Sequence, residues 1–228
     1  MTPALIFDLD GTLVDTAPDL LAGLNCVLVG AGRRPVDLSD LRHLVGFGAR
    51  AMMSEAFKLT GAAADPERIE GFMDNFIDHY RNHIADSSRL FPDVAETLEG
   101  LKALGARMGV LTNKPHDLTL LLMAKLGLDG YFTDVFGQGR RPYTKPDGRI
   151  FQDVVQAIGG PGSGAVMIGD SVTDVQTGRN GGAPVILLSY GYTPEPARNL
   201  GADAVVDNFR ELPGALAQLL GGNWPASR

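Results

Sequence analysis

The sequence predicts a doubly wound α/β fold: a parallel sheet with helices on both faces, and a small α-helical domain inserted just after the first strand. Three observations predict it. Four short apolar runs read as buried strands, the first three end in polar clusters, and residues 15 to 89 carry helical periodicity without a convincing strand.

The first run, Ala4 to Phe7, leads directly into Asp8-Leu9-Asp10-Gly11. Side chains at i and i+2 of an extended segment share a face, so Asp8 and Asp10 come close and repel unless something compensates them. The next stretch breaks the alternation of strand and helix. Ile69, Phe72, Met73, Phe76, Ile77, Tyr80 and Ile84 form a stripe at helical spacing, and Asp65-Pro66 ahead of it suits a helix start. That much helix exceeds one crossover. It predicts a helical lid over residues 15–89, with residues 1–14 and 90–228 forming the α/β core.

The core continues with a helix marked by Val94, Leu98, Leu101 and Leu104, then a strand from Met108 to Leu111 ending in Thr112-Asn113-Lys114. Leu118, Leu121, Leu122 and Leu126 mark the following helix. Ala165 to Ile168 forms the third run, ending in Gly169-Asp170-Ser171, and Pro184 to Leu188 the fourth. Gly221-Gly222-Asn223-Trp224-Pro225 begins a flexible tail over residues 221–228.

The chain has 228 residues, 44% hydrophobic and 21% charged, with a formal net charge of −7. This suits an ordinary globular protein and argues against nucleic acid or an anionic membrane as the main partner. Cys26 is the single cysteine, so no internal disulfide forms, and its apolar helical setting predicts a buried, inert thiol. No basic leader with a long apolar stretch opens the chain, which predicts a cytoplasmic protein. A small anionic substrate would then need a local cluster of positive charge or a metal ion, and both a monomer and a homodimer stay open.

In a doubly wound sheet, ligands bind outside the carboxyl ends of the strands. There the polar clusters gather Asp8, Asp10, Thr112, Asn113, Asp170, Ser171 and Asp174, joined by Lys145 from the loop Arg140-Arg141-Pro142-Tyr143-Thr144-Lys145-Pro146. Converging carboxylates offer hard oxygen ligands of the kind that suit Mg²⁺. Such a site fits phosphoryl transfer, with one aspartate as nucleophile and a second carboxyl moving the proton. The expected asymmetry keeps Asp8 ionised against the metal and raises the pKa of Asp10.

Other polar residues have plainer readings. Thr112 and Asn113 also suit a cap for the following helix, and Arg140, Arg141 and Arg149 read as solvated loop residues. His79 and His83 sit at i, i+4 without a third ligand, so packing or solvent exposure accounts for them better than zinc does. His43 and His116 have no evident partner. Tyr190 and Tyr192 read as core or crevice wall.

In order, Asp8-Leu9-Asp10-Gly11-Thr12, Thr112-Asn113, Lys145-Pro146 and Gly169-Asp170-Ser171-Val172-Thr173-Asp174 resemble the four motifs of the haloacid dehalogenase-like hydrolase superfamily. The resemblance spans essentially the whole chain and implies a Rossmann-like core with a small helical cap. It implies Asp8 as nucleophile, Asp10 as general acid/base, and Thr112 and Lys145 as phosphate ligands. Asp170, with Asp8 and the Asp10 main-chain carbonyl, would hold Mg²⁺, supported by Asp174. Phe7 to Thr16, Leu111-Thr112-Asn113-Lys114-Pro115 and Tyr190-Gly191-Tyr192 are most similar to phosphoglycolate phosphatases. Val45-Gly46-Phe47-Gly48-Ala49-Arg50 resembles their substrate-facing cap loop, which implies a substrate contact for Arg50, and Asn113 joins the phosphate-binding set. The resemblance implies a small phosphorylated metabolite as partner, and three other readings stay open: a phosphatase of the same superfamily for another small ester, a sugar-phosphate phosphomutase, and a receiver-like signalling domain. A dehalogenase fits less well, since its chemistry does not call for the acidic cluster.

Overall fold

The computed structural model describes residues 3–41, 45, 48–160 and 164–221. Gly46 and Phe47 of the expected cap loop, His43, and all of the expected tail except Gly221 lie outside the described residues.

Six parallel strands form the sheet: β1 (Ala4–Phe7), β4 (Arg107–Pro115), β5 (Asp134–Gln138), β6 (Ala165–Gly169), β7 (Val185–Leu188) and β8 (Ala204–Val206). Their order is β5-β4-β1-β6-β7-β8. The chain winds outward from β1 in one direction, then returns to start again at β6. The order therefore reverses between β1 and β6, where a doubly wound sheet opens its ligand crevice. Phe7, the last residue of β1, pairs with Val110 on one side and Ile168 on the other, which places the chain that follows between β4 and β6.

Alternation along the strands divides the core in two. Leu5, Phe7, Val166, Ile168, Ile186 and Leu188 pack with α5 (Val94–Ala103), α6 (His116–Lys125) and α9 (Leu212–Leu220). Ala4, Ile6, Ala165, Met167, Val185 and Leu187 pack with α7 (Gly148–Ala157) and α8 (Val172–Asn180). Both faces are buried, which is why these strands read as continuous apolar runs.

Between β1 and β4 lie β2 (Val14–Asp15), the helices α1 (Ala17–Gly30), α2 (Leu38–Leu41), α3 (Ala49–Thr60) and α4 (Pro66–Asn82), and β3 (Arg89–Leu90). Asp65 caps α4 by accepting from the Arg68 N–H at 2.8 Å. Strands β2 and β3 pair antiparallel, Val14 with Leu90 and Asp15 with Arg89, so the two connections to the helical segment run side by side. Asp19, buried at the start of α1, accepts from the Ser87 N–H and from the Ser88 N–H and hydroxyl, tying those connections together. No helix among the described residues is long and apolar enough to cross a membrane.

Three features differ from the sequence expectation. Strands β5 and β8 go unannounced because each is short and half-buried, so neither forms an apolar run. Strand β4 continues past Leu111 to Pro115 through a register shift, placing Thr112 and Asn113 within the strand and not at the start of α6. Cys26 is exposed: the buried stripe of α1 runs through Leu20, Leu24, Val27 and Leu28, and Cys26 falls off it.

Candidate active site

At the switch point the Asp8 N–H donates to the Ile168 carbonyl at 2.9 Å, anchoring Asp8 to β6. The chain then folds back on itself, with the Leu9 carbonyl accepting from the Leu13 and Val14 N–H groups. Gly11 sits at φ +88°, and a Cβ there would lie 2.6 Å from Asp170 Oδ2. Glycine thus serves both the left-handed turn and the close approach.

Lys145 is the centre of the acidic cluster. Its Nζ lies 2.7 Å from Asp174 Oδ1 and 2.8 Å from Asp8 Oδ1. Asp8 Oδ1 is buried, and the Lys145 ammonium is its charged partner. Asp174 is fully buried, and its other oxygen accepts from the Ser171 hydroxyl at 2.7 Å and from the Asp170 and Ser171 N–H groups. Asp170 accepts from the Thr12 hydroxyl at 3.1 Å and the Tyr192 N–H at 2.7 Å. Carboxylate oxygens of Asp8, Asp170 and Asp174 all lie within 4.8 Å of one another. Three buried carboxylates with oxygens crowded together, two of them against one ammonium, make a donor set that fits a hard divalent cation.

Proton affinities follow from this crowding. Burial pushes the Asp8 carboxyl from 3.8 up to about 7, Asp174 and Asp10 add to the push, and Lys145 opposes it. Burial also raises Asp170, reinforced by Asp174 and Asp8. For Lys145 burial acts against the charge, but Asp174 and Asp8 outweigh it and raise its pKa. The chain on its own thus raises Asp8, the carboxyl that the sequence reading expects to be ionised. The physical reason is depth, since the Asp8 carboxylate sits among carboxylates in a nearly dry site.

Asp10 meets a different cation. Lys114 Nζ lies 3.1 Å from Asp10 Oδ1 and donates to the Tyr80 hydroxyl of α4 at 2.7 Å. Burial works against the Lys114 charge, yet Asp10 and Tyr80 together raise its pKa, while burial pushes the Tyr80 phenol up to about 12. Asn113 exchanges two hydrogen bonds with the Lys145 main chain, at 3.0 and 3.1 Å, and so fixes the loop that delivers the lysine. The Thr112 hydroxyl accepts from the Lys114 N–H at 3.1 Å.

These groups line a cavity of about 260 Å³ between the strand ends and the helices. Asp8, Asp10, Thr112, Asn113, Lys114 and Lys145 line it from the sheet, and Met73, Phe76 and Tyr80 from α4. Arg50, at the start of α3, also lines it, but its guanidinium is held by Glu70 through two contacts of 2.8 Å. His79 and His83 stack on each other, and His83 pairs with Asp86; neither joins a metal-binding group among the described residues.

The structure thus gathers Asp8, Asp10, Thr112, Asn113, Lys145, Asp170 and Asp174, and leaves Arg50 at the cavity with a partner of its own. Three contributors lack a role in the sequence pattern. Lys114 closes the polar cluster Thr112-Asn113-Lys114, in which nothing local pairs with it. Tyr80 hides its hydroxyl within an apolar stripe, although a buried tyrosine needs a hydrogen-bond partner. Tyr192 accepts from the Thr16 and Ala17 N–H groups and donates to Asp15, bracing the first connection to the helices.

A crevice at the switch point of a parallel sheet, where lysines hold buried carboxylates ready for an oxygen-liganded cation, defines an enzyme of the doubly wound α/β class. The haloacid dehalogenase-like hydrolase family profile matches residues 2–182, and the chain belongs to that family. Within it the chain is a phosphoric monoester hydrolase. It is 46% identical to a phosphoglycolate phosphatase of Caulobacter vibrioides, over 95% of this chain and 91% of that one. It is 35% identical to an N-acetylmuramic acid 6-phosphate phosphatase of Pseudomonas aeruginosa, over 92% of each. The crystal structure of a predicted phosphoglycolate phosphatase from Haemophilus somnus superposes with a TM-score of 0.87 at 28% identity, covering 94% of this chain and 97% of that one.

Proposed function

We propose that this protein is a Mg²⁺-dependent phosphatase that hydrolyses 2-phosphoglycolate to glycolate and phosphate through an aspartyl-phosphate on Asp8. The observation that carries this reading is the Asp8 carboxylate, which lines the cavity with the Lys145 ammonium 2.8 Å from one oxygen and carboxylate oxygens of Asp170 and Asp174 within 4.8 Å. The size of the cavity and its lysines support a small anionic substrate, and the names of the relatives support phosphoglycolate.

In the first step an Asp8 oxygen attacks phosphorus, the bond from phosphorus to the ester oxygen breaks, and Asp10 gives its proton to the departing glycolate oxygen. In the second, water attacks the same phosphorus while Asp10 takes its proton. The bond from phosphorus to Asp8 breaks, which releases phosphate and returns both carboxyls to their starting states. Thr112 and Lys145 would hold the phosphoryl oxygens, with Asn113 keeping Lys145 in place. Asp8, Asp170 and the Asp10 main-chain carbonyl would hold Mg²⁺, supported by Asp174. When bound, the ion supplies positive charge that keeps Asp8 ionised and offsets charge on the transferring oxygens. The helical segment 15–89 would act as a cap that excludes water and selects the substrate, Arg50 among its contacts.

The test is phosphate release from a panel of small phosphate esters, with Mg²⁺ and with chelator. Release that requires Mg²⁺ and favours 2-phosphoglycolate is expected. Mg²⁺-dependent release spread over other esters would keep the mechanism and discard the substrate. Product isomerisation without phosphate release, in the presence of a phosphorylated activator, would replace the phosphatase with a mutase.

A further inference from the structure

Lys114 stands apart from the acidic cluster, and its three partner atoms come from two separate parts of the molecule. Its ammonium contacts both Asp10 oxygens, at 3.1 and 3.4 Å, and the Tyr80 hydroxyl at 2.7 Å. Its side chain is only 4% exposed, so water does not compete for these contacts. Asp10 follows β1, Lys114 lies near the end of β4, and Tyr80 belongs to α4 of the helical segment. The two acids of the first motif are therefore served by different lysines: Lys145 pairs with Asp8, and Lys114 pairs with Asp10.

We propose that Lys114 is a positioning residue that sets the Asp10 carboxyl for proton transfer, and that Tyr80 makes this setting depend on α4 being seated over the sheet edge. An ammonium contacting both oxygens of a carboxylate restricts its rotation. Tyr80 gives the ammonium a third, fixed partner in place of water. With α4 displaced, that partner leaves and the lysine re-enters solvent, so Asp10 is held for catalysis only while the cavity is covered. A tyrosine whose neighbours Met73 and Phe76 line the same cavity is placed to report that closure. Two of its three contacts are to Asp10, which assigns Lys114 to that carboxylate.

The inference rests on Asp10 being the general acid of the proposed reaction, and the test separates the two. The full chain with Mg²⁺ is compared with K114M and Y80F on 2-phosphoglycolate, whose alkoxide leaving group needs a proton, and on acetyl phosphate, whose acetate leaves without one. The quantity is kcat/KM, which reports the first phosphoryl-transferring step. K114M is expected to lower it about 100-fold on 2-phosphoglycolate and less than about fivefold on acetyl phosphate, with the loss carried by kcat. Y80F keeps the ring packing and should show the same selectivity at about three- to tenfold, and it decides the question if K114M does not fold. Equal losses on both substrates overturn the role of Lys114 alone. So does a loss on 2-phosphoglycolate that lies wholly in KM, which would make Lys114 a carboxylate-binding cation. A parent protein inert on both esters overturns the phosphatase reading and this inference together.

Discussion

The strand ends of β1, β4 and β6 and the helices of residues 15–89 face the same cavity but are held by different forces. At the strand ends, four carboxylates meet two buried ammonium groups, and each charge is placed by named hydrogen bonds or ion pairs. Across the cavity the wall is mostly apolar, built from Leu20, Met52, Met73, Phe76 and Ile77, and its guanidinium is paired at the surface with Glu70. Buried charge networks tolerate little change, because removing one member strands its partner, whereas apolar walls of similar volume can be exchanged at modest cost. Charge is concentrated at the sheet edge and apolar surface on the helices; under the proposed function the chemistry falls to the first and selection to the second, the two joined through Tyr80 and Lys114.

The sharpest way to break that division is Asp8→Asn. A neutral isostere at the proposed nucleophile should leave the fold intact and lower phosphate release by roughly 10⁴-fold or more, measured on the full ester panel. Retained activity would place the chemistry elsewhere.

Next in size is Lys145→Met, which leaves Asp8 and Asp174 buried with no cation between them. Without metal at about pH 8, urea denaturation should show a loss of about 3 kcal/mol, partly recovered on adding Mg²⁺. An unchanged midpoint would mean that the cluster does not constrain the core.

The pH dependence sharpens the same point. Asp8 has its folded pKa raised to about 7 from 3.8, so the folded protein retains a proton that the unfolded chain releases. Its contribution to stability is complete below the unfolded pKa and is lost as pH rises through about 7, and Asp170 acts in the same direction. In chelator the protein should therefore be more stable to urea at about pH 5 than at about pH 8, and Asp8→Asn should reduce the difference. An opposite slope would show that other groups dominate the titration.

The smallest effect is expected at Arg50. Its pair with Glu70 is exposed and contributes little to stability, so Arg50→Ala should leave the denaturation midpoint unchanged. On the ester panel it should lower activity unevenly, most on carboxylate-bearing substrates. An equal loss on every ester would remove the selecting role from this part of the helical wall.

Much of this was legible before any coordinates. Buried parallel strands leave apolar runs, and the polar residues that must follow them mark the carboxyl edge, so Asp8, Asp170 and the helix of Tyr80 stand out from periodicity alone. Strands β5 and β8 did not, because half-buried strands of three to five residues carry too little pattern. Cys26 misled because membership of an apolar helix says nothing of which side of its stripe a residue occupies.

Fold class, family and the set of acids follow from local pattern and from short motifs whose chemistry is written in residue type. Which lysine serves which acid, the hold of Asn113 on the Lys145 main chain and the reach of Tyr80 to Lys114 emerge on folding. The pairs Asn113 with Lys145, Tyr80 with Lys114 and Lys114 with Asp10 join residues separated by 32, 34 and 104 positions. Electrostatic and hydrogen-bond partners are chosen by distance in space, and strand order and helix placement set that distance.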